Sequence, residues 1–291
     1  MRDVMVSLLG GGLLGGTYAL IGIGLVLVFR ATSTLNFAHG QLMLIPAFCV
    51  ARWQATHDGS TILVIIAAVV LTALISAAFY ALVLRRMTGR PLFLALIATF
   101  AMAGLLDGVL AMLFGPDQYS LQLSALPSGS VSIAGATLSK ASLVLTTLTV
   151  VLAVSVVALV RLTPLGLKVR AAGQDALLAS QGGINVGRVY IGSWIAAGVL
   201  AAVAGIAYGS QNLVTPSMAT VALAAFPAIL LGGLDSIEGA LVGGLIIGVA
   251  QGFIATYVGG QYLNVATYGL LLAVLFVRPQ GLFGTRETVR A

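Results

Sequence analysis

Long apolar segments, separated by short polar stretches, account for most of the sequence. These segments do not alternate polar and apolar residues as half-buried strands do. A helix needs about 20 apolar residues to cross a bilayer, whereas a tilted strand needs about 10 alternating ones. The pattern therefore predicts membrane-spanning helices. The candidate spans are 6–29, 37–53, 61–84, 91–114, 140–160, 189–211, 219–234, 239–258 and 262–277.

Two of these nine spans are short and contain residues that are unusual inside a membrane helix. Span 37–53 contains polar residues and Pro46, and span 219–234 contains Pro227. Proline removes one hydrogen bond from the helix ladder and distorts it. Segment 219–234 therefore has two possible structures, a full span and a re-entrant half-helix, and the total lies between eight and ten spans.

The composition is that of a membrane protein. Of 291 residues, 59% are hydrophobic and 8% are charged, whereas soluble domains contain about 25% charged residues. No soluble core could hide this much apolar surface. We predict an all-α fold, a bundle of about nine spans with broken or half helices. A single membrane domain is expected to cover residues 1–291.

The distribution of basic residues predicts how the bundle is oriented. With nine spans and an external N-terminus, eleven of the fourteen Lys and Arg residues lie on the cytoplasmic side. This bias is typical of membrane proteins. It explains the net charge of +6 without nucleic-acid binding. A re-entrant 219–234 would move three basic residues of the C-terminal tail outside, so the charges favour nine full spans.

The longest external segment is 115–139. Residues 130–138 alternate polar and apolar side chains around Gly135, which predicts a small β-hairpin. Such a hairpin is either a lid or docking contact for an external protein, or a plain connector between two spans.

Polar residues at the start of span 37–53 are candidates for a solute pathway. Asn36 is expected to cap the helix that follows, with His39 and Gln41 one turn further along. A helix that starts within the membrane exposes unpaired N–H groups, which suit a polar or anionic ligand. We therefore place these three residues on a water-filled route. The alternative is that His39 hydrogen-bonds a neighbouring helix.

Asp107 is the second polar feature, deep in span 91–114 between Leu106 and Gly108. A carboxylate at this depth is energetically costly, so it should face a partner or a cavity. We add Asp107 to the candidate pathway. Protonation and pairing with an arginine are both compatible with the sequence.

Some of the 36 glycines recur at the spacing through which membrane helices pack. Helices in a bilayer associate through close backbone approach at small residues. Gly244, Gly248 and Gly252 recur every four residues, and Gly11 with Gly15 repeats this spacing near the N-terminus. We expect these glycines to pack helices within the chain rather than to form a subunit interface.

Segment 163–189 is a polar interruption between two apolar spans. It contains a basic helical stretch followed by Gly182-Gly-Ile-Asn185. A short turn would suffice to return the chain to the membrane, so this longer segment predicts contact with a soluble partner. The sequence contains no P-loop, no His-Glu-x-x-His motif and no Cys/His cluster. We therefore predict that the chain is not an enzyme and holds no cofactor of its own.

Motifs spread over nearly the whole chain resemble the permease subunits of branched-chain amino acid ABC transporters, the LivH-type half. The C-terminal Pro279-Gln-Gly-Leu-Phe-Gly284 is also similar to that family. The four main motifs are Gly16-Thr-Tyr-Ala-Leu-Ile-Gly-Ile-Gly24; Leu35-Asn-Phe-Ala-His-Gly-Gln41; Gly166-Leu-Lys-Val-Arg-Ala-Ala-Gly-Gln-Asp175 with Gly183-Ile-Asn-Val-Gly-Arg-Val189; and Leu231-Gly-Gly-Leu-Asp-Ser-Ile-Glu-Gly-Ala240 with Gly243-Gly244.

The resemblance implies that 164–187 is a cytosolic coupling helix loop that docks in a groove on a separate ATPase. Ala171-Ala172 and Gly183-Ile184 are similar to the Glu-Ala-Ala…Gly…Ile pattern of that loop, although Arg170 stands in place of the Glu. Small residues would allow close approach, and basic side chains would reach acidic groups. The residues expected at this contact are Gly166, Lys168, Arg170, Ala171, Ala172, Gln174, Asp175, Gly183, Ile184 and Asn185.

The resemblance also implies the partners and the location. These are a homologous second permease, two ATP-binding cassette subunits that hold ATP and Mg²⁺, and an external or periplasmic substrate-binding protein, all at a bacterial inner membrane. The solute would be a branched-chain amino acid or a related small amino acid, amide or urea-like compound. The binding protein would decide which one is carried.

Two other classes of transporter remain as alternatives at this point. An ion-coupled secondary transporter would use Asp107 as its ion site. An aquaporin-like channel would use Asn36-Phe-Ala38 as one half-helix cap, but Phe226-Pro-Ala228 lacks the asparagine that a second cap requires.

Overall fold

The structure is a computed structural model that describes residues 2–57, 60–123, 126–133 and 136–284. Short 3-10 helices occur at Leu84–Met87, Pro216–Ala219 and Gly260–Tyr262. The main elements are α1 Arg2–Thr32, α2 His39–Thr56, α3 Ile62–Leu82, α4 Leu92–Phe114, β1 Ser130–Ile133, β2 Ala136–Ser139, α5 Lys140–Leu162, α6 Pro164–Gln174, α7 Ala176–Gln181, α8 Val186–Gly209, α9 Thr220–Ala224, α10 Phe226–Gly232, α11 Ile237–Tyr257 and α12 Leu263–Val277.

The predicted all-α membrane fold is confirmed, and the count of nine spans is approximate. Within the described residues, seven helices are long and apolar enough to cross a membrane. They correspond to seven of the nine predicted spans. The helix that matches span 37–53, α2, is not among them, because polar residues such as Gln41 and Arg52 lie near its two ends.

The segment predicted as span 219–234 is not a continuous helix. It consists of α9, a break at Ala225, and α10, whose first turn contains Pro227. Proline is tolerated there because the first turn of a helix does not use its N–H group. Gly233 ends α10 with φ of 108°. The whole stretch Pro216–Gly232 is apolar but shorter than the seven long helices.

The chain divides into two compact units, the first formed by residues 1–26, 125–157 and 224–291. Within this unit the glycines of α11 lie against α1. A Cβ on Gly248 would collide with the backbone of Gly15, and one on Gly244 would come within 2.6 Å of the Ala19 nitrogen. Gly252 lies equally close to the carbonyl of Ser7. The regular glycine spacing therefore brings two helix backbones into direct contact.

The same unit contains a buried chain of polar side chains and a hairpin. The Tyr18 hydroxyl donates to Gln251 Oε1 over 3.0 Å, and Gln251 Nε2 donates to the Thr267 hydroxyl over 2.9 Å. These bonds connect α1, α11 and α12. The predicted hairpin is confirmed, since β1 and β2 pair in antiparallel register from Ser130 opposite Ser139. Its central Gly135 lies outside the described residues.

The second unit, residues 27–123 of the described chain and 158–223, has α2 in its interior. This helix contacts α3, α4 and α8. Gly205 of α8 lies so close to the backbone of Met43 that it has no room for a side chain. Between α3 and α8, the Ser76 hydroxyl donates to the Trp194 carbonyl over 2.6 Å. Close backbone approach and one buried hydrogen bond therefore hold these helices around α2.

Candidate functional site

The predicted helix start near Asn36 is present, but Asn36 is not its cap. Helix α2 begins at His39, and its N-cap residue, Ala38, provides no capping side chain. Asn36 Oδ1 instead accepts a hydrogen bond from the Ala38 N–H over 3.1 Å. This contact is an Asx-turn, in which the asparagine side chain binds the backbone N–H group two residues further along. Asn36 therefore shapes the entry into α2, and the N–H groups of the first turn have no side-chain cap.

Several polar atoms around this helix start are buried without a partner. Among the described residues, Asn36 Nδ2, both ring nitrogens of His39 and Gln41 Oε1 make no hydrogen bond. Asn36 and His39 are each only 1% exposed. The great majority of buried polar groups in proteins are hydrogen-bonded, so such a cluster calls for an explanation. The hydrogen bond from His39 to a neighbouring helix, expected under the packing alternative, is not formed within this part of the chain.

Gln41 joins this group to Asp107. The Gln41 side-chain Nε2 donates to Asp107 Oδ2 over 3.2 Å, although the two residues are 66 positions apart. The carboxylate lies midway along α4 and is exposed on the surface of the chain. Its neighbours Gly104 and Gly108 also face open space. Two of the four predicted pathway residues, Gln41 and Asp107, are therefore joined directly, whereas Asn36 and His39 lie buried at the start of the same helix. These four residues are called the α2/α4 polar group below.

Contacts between α4 and the segment before α2 hold this group in place. The Thr99 hydroxyl lies 3.3 Å from the carbonyl of Leu35, to which it donates. The Phe37 and Phe100 rings stack with centroids 4.1 Å apart. Ser33, with φ of 53°, adopts a backbone conformation that is rare outside glycine. These features fix the course of the chain from the end of α1 to the start of α2.

The predicted cytosolic segment forms two helices, α6 and α7, that precede α8. Several of its predicted contact residues act within the chain. Asp175 accepts hydrogen bonds from the N–H groups of Leu177 and Leu178, each 2.9 Å long. Asn185 caps α8 by accepting from the Arg188 N–H over 3.0 Å. These two side chains cap the N-termini of α7 and α8. Their side-chain oxygens are therefore occupied within the chain.

Three small residues of α6 face the chain itself, whereas Gly183, which follows α7, is exposed, and a Cβ there would meet nothing within 4 Å. Gly166 lies against the carbonyl of Val160, and Gly173 against that of Arg30, with no room for a Cβ at either position. Ala172 is buried, and its carbonyl accepts a hydrogen bond from the Tyr190 hydroxyl over 3.0 Å. We expected these small residues to allow close approach to a partner. In the structure they allow α6 to lie close to its own neighbours.

Four leucines are among the exposed residues of this segment, and none of them was among the predicted contact residues. Each is more than half exposed, and Lys168 is exposed beside them. Large apolar side chains clustered on a polar segment mark a contact surface. The sequence indicated this surface, because leucines occur among the basic and polar residues of the segment. The exposed leucine set consists of Leu165, Leu167, Leu177 and Leu178.

Comparison with known proteins identifies the family. The model of the family described as "Branched-chain amino acid transport system / permease component" matches residues 7–277. The chain belongs to this family. The match includes both the α2/α4 polar group and the segment of α6 and α7, and the ion-coupled and channel alternatives are not favoured.

Curated relatives agree over almost the full length of the permease. It is 32% identical to the high-affinity branched-chain amino acid transport system permease protein LivH of Salmonella typhimurium, with 97% of this chain and 96% of the relative aligned. The same proportions are aligned with LivH of Escherichia coli K12, at 31% identity, and with BraD of Pseudomonas aeruginosa, at 30%. No solved structure matches the permease.

Proposed function

We propose that this permease is a membrane-spanning subunit of an ATP-driven importer in a bacterial inner membrane. Its solutes are branched-chain amino acids or related small amino acids, amides or urea-like compounds. The observation that carries the proposal is the family match over residues 7–277. The relatives that align with nearly all of the chain are named as branched-chain amino acid permeases. The permease moves the solute and performs no chemistry on it.

The proposed solute route passes the polar group formed by Asn36, His39, Gln41 and Asp107. Unpartnered donors and acceptors at a helix start can exchange hydrogen bonds with a zwitterion as it passes. Route residues of this kind are expected to raise the rate of transport without binding the solute tightly.

Energy enters, in this proposal, through the segment of α6 and α7. The exposed leucine set docks in an apolar groove on a separate ATPase, with Lys168 at its edge reaching acidic groups. ATP and Mg²⁺ are bound by two such ATP-binding cassette subunits, and a second, homologous permease completes the membrane part. An external binding protein delivers the solute and determines which compound is carried.

Substitution of the exposed leucines tests the proposal. The complete transporter with Leu177→Asp and Leu178→Asp is purified and reconstituted in liposomes, and ATP-dependent uptake of radiolabelled leucine is measured. We expect uptake to fall at least about tenfold, because two buried leucines contribute well over 1.4 kcal/mol to an interface. The ATPase subunits should also co-purify in smaller amount.

The matched control replaces the same two leucines by methionine, which preserves apolar surface. This variant should retain ATPase subunits and transport. Wild-type uptake by the double Asp variant, or by a chain in which a Gly/Ser linker replaces 166–187, would refute the docking role. Uptake that follows an ion gradient without ATP would refute the importer itself.

A further inference from the structure

A cavity of about 200 Å³ lies in the second unit, away from the residues assigned to the solute route. Its walls come from the end of α3, the loop between α3 and α4, the segment after α1 and the start of α8. None of the four route residues lines it. The lining residues that matter here are Thr34, Tyr80, Leu84, Thr88, Arg90 and Tyr190.

Two hydrogen-bond donors on this wall are unused. Tyr80 is only 4% exposed, and its hydroxyl makes no hydrogen bond within the described part of the chain. Arg90 is exposed and has no ion pair among those same residues. Guanidinium and phenol groups together suit an anionic oxygen, since charge-assisted hydrogen bonds are stronger than neutral ones. These two lining residues are therefore candidates to bind a negatively charged group.

Apolar side chains line another part of the cavity, which lies at the ends of membrane helices. Met87, Leu92 and Ala95 line it beside the donors. Helix α3 ends at Leu82 and α4 begins at Leu92, so the loop between them lies where lipid head groups meet the hydrocarbon. Two more exposed arginines, Arg85 and Arg86, belong to the 3-10 helix in this wall.

The geometry points to a binding site for the head group of an anionic phospholipid. The phosphate would accept hydrogen bonds from Arg90 and Tyr80, while the acyl chains would follow the apolar side of the wall. Clusters of basic residues on the cytoplasmic side of membrane helices attract anionic lipids in this way. A free anion would use the donors but would leave the apolar wall uncovered, so the lipid is the better fit.

A single side chain, that of Tyr190, connects the site to α6. Tyr80 and Tyr190 meet edge to face, with ring centroids 6.1 Å apart. Tyr190 also donates to the carbonyl of Ala172 in α6 over 3.0 Å. A bound head group would therefore restrain Tyr190 and the helix it holds. The consequence, faster ATP hydrolysis with anionic lipid, rests on the proposed function, whereas lipid binding does not.

Lipid binding is measured on the complete transporter after delipidation in detergent. Phosphatidylglycerol or phosphatidylcholine with identical acyl chains is added, and retained lipid and thermal unfolding are followed by native mass spectrometry and fluorescence. We expect phosphatidylglycerol alone to be retained and to raise the unfolding temperature. Arg90→Gln should weaken retention about fivefold, since one basic residue near an anionic surface contributes about 1 kcal/mol.

Three further variants separate the site from a general charge effect. Arg90→Lys keeps the charge and should retain most binding, and Tyr80→Phe should lose part of it. Arg278→Gln removes an exposed basic residue at the end of α12 and should behave as wild type. Equal loss in Arg278→Gln would overturn the site.

Other ligands give further outcomes that oppose the proposal. Equal retention of phosphatidylcholine would overturn it, as would stabilisation by inorganic phosphate or free leucine as strong as that by phosphatidylglycerol. Specific lipid binding with an unchanged ATPase rate would support the site and reject its link to α6. Failure of the proposed importer function would leave the binding result intact.

Discussion

Two buried polar groups, one in each compact unit, differ in how completely they are hydrogen-bonded. Tyr18, Gln251 and Thr267 form an uninterrupted chain of donors and acceptors. Around Asn36 and His39, by contrast, polar atoms are equally buried but lack partners. A satisfied group stabilises a helix contact, whereas an unsatisfied one weakens it. The first group is therefore suited to holding helices together, and the second to interacting with a passing solute.

The glycines show the same contrast. Gly248 lies in backbone contact with α1, whereas Gly104 and Gly108 of α4, beside Asp107, face open space. Glycine thus packs two helix backbones together at one place and leaves a helix face uncovered at the other. Substitutions that act on one region alone can test whether this division between packing and transport is real.

Gly248→Ala should have the largest effect. The added methyl group would overlap the backbone of Gly15, and overpacking of this kind costs about 1–3 kcal/mol. We expect a clear loss of folded permease in the membrane and a lower unfolding temperature. In the matched variant Gly108→Ala the added methyl group meets no neighbour. This variant should fold as wild type. Similar losses in both variants would contradict the assignment of Gly248 to packing and of Gly108 to an open helix face.

Gln251→Leu should destabilise the protein by about 1–3 kcal/mol, because it removes the buried hydrogen bonds from Gln251 to the Tyr18 and Thr267 hydroxyls. The unfolding temperature measures this loss. Uptake per correctly folded molecule should remain near that of wild type. A fall in uptake at unchanged stability would place this polar chain on the solute route.

His39→Leu should show the opposite behaviour. Removal of two unpartnered ring nitrogens should leave stability unchanged or slightly increased. Uptake of leucine should fall about tenfold, equivalent to about 1.4 kcal/mol of lost stabilisation along the route. Measuring uptake and thermal unfolding on the same preparation separates the effect on transport from the effect on stability. Normal uptake would assign His39 to packing.

Asp107→Asn should have the smallest effect, a decrease in uptake of about two- to threefold. Asparagine can still accept the hydrogen bond from Gln41, so the geometry of the polar group is preserved. Transport should continue to depend on ATP and remain insensitive to collapse of the proton and sodium gradients. Complete loss of uptake in this variant would make the carboxylate charge essential.

Much of the architecture was predictable because it depends on local properties. Seven long spans follow from hydropathy, and the hairpin at 130–139 from alternation. Other features depended on neighbours in space. Asn36 was expected to cap α2, yet its side chain serves the preceding turn. Ala172 was expected at a partner surface, yet the hydroxyl of Tyr190, 18 residues away, binds its carbonyl.

The sequence by itself determined the membrane class, the position of the polar segment between two spans and the family, because hydrophobicity, charge and short motifs are read along the chain. Only the tertiary structure decided that Gln41 meets Asp107, that polar atoms around His39 stay unpartnered, and that the leucines of α6 and α7 are exposed. These outcomes depend on which helices pack against each other. The sequence of one helix does not specify which neighbour covers each of its faces.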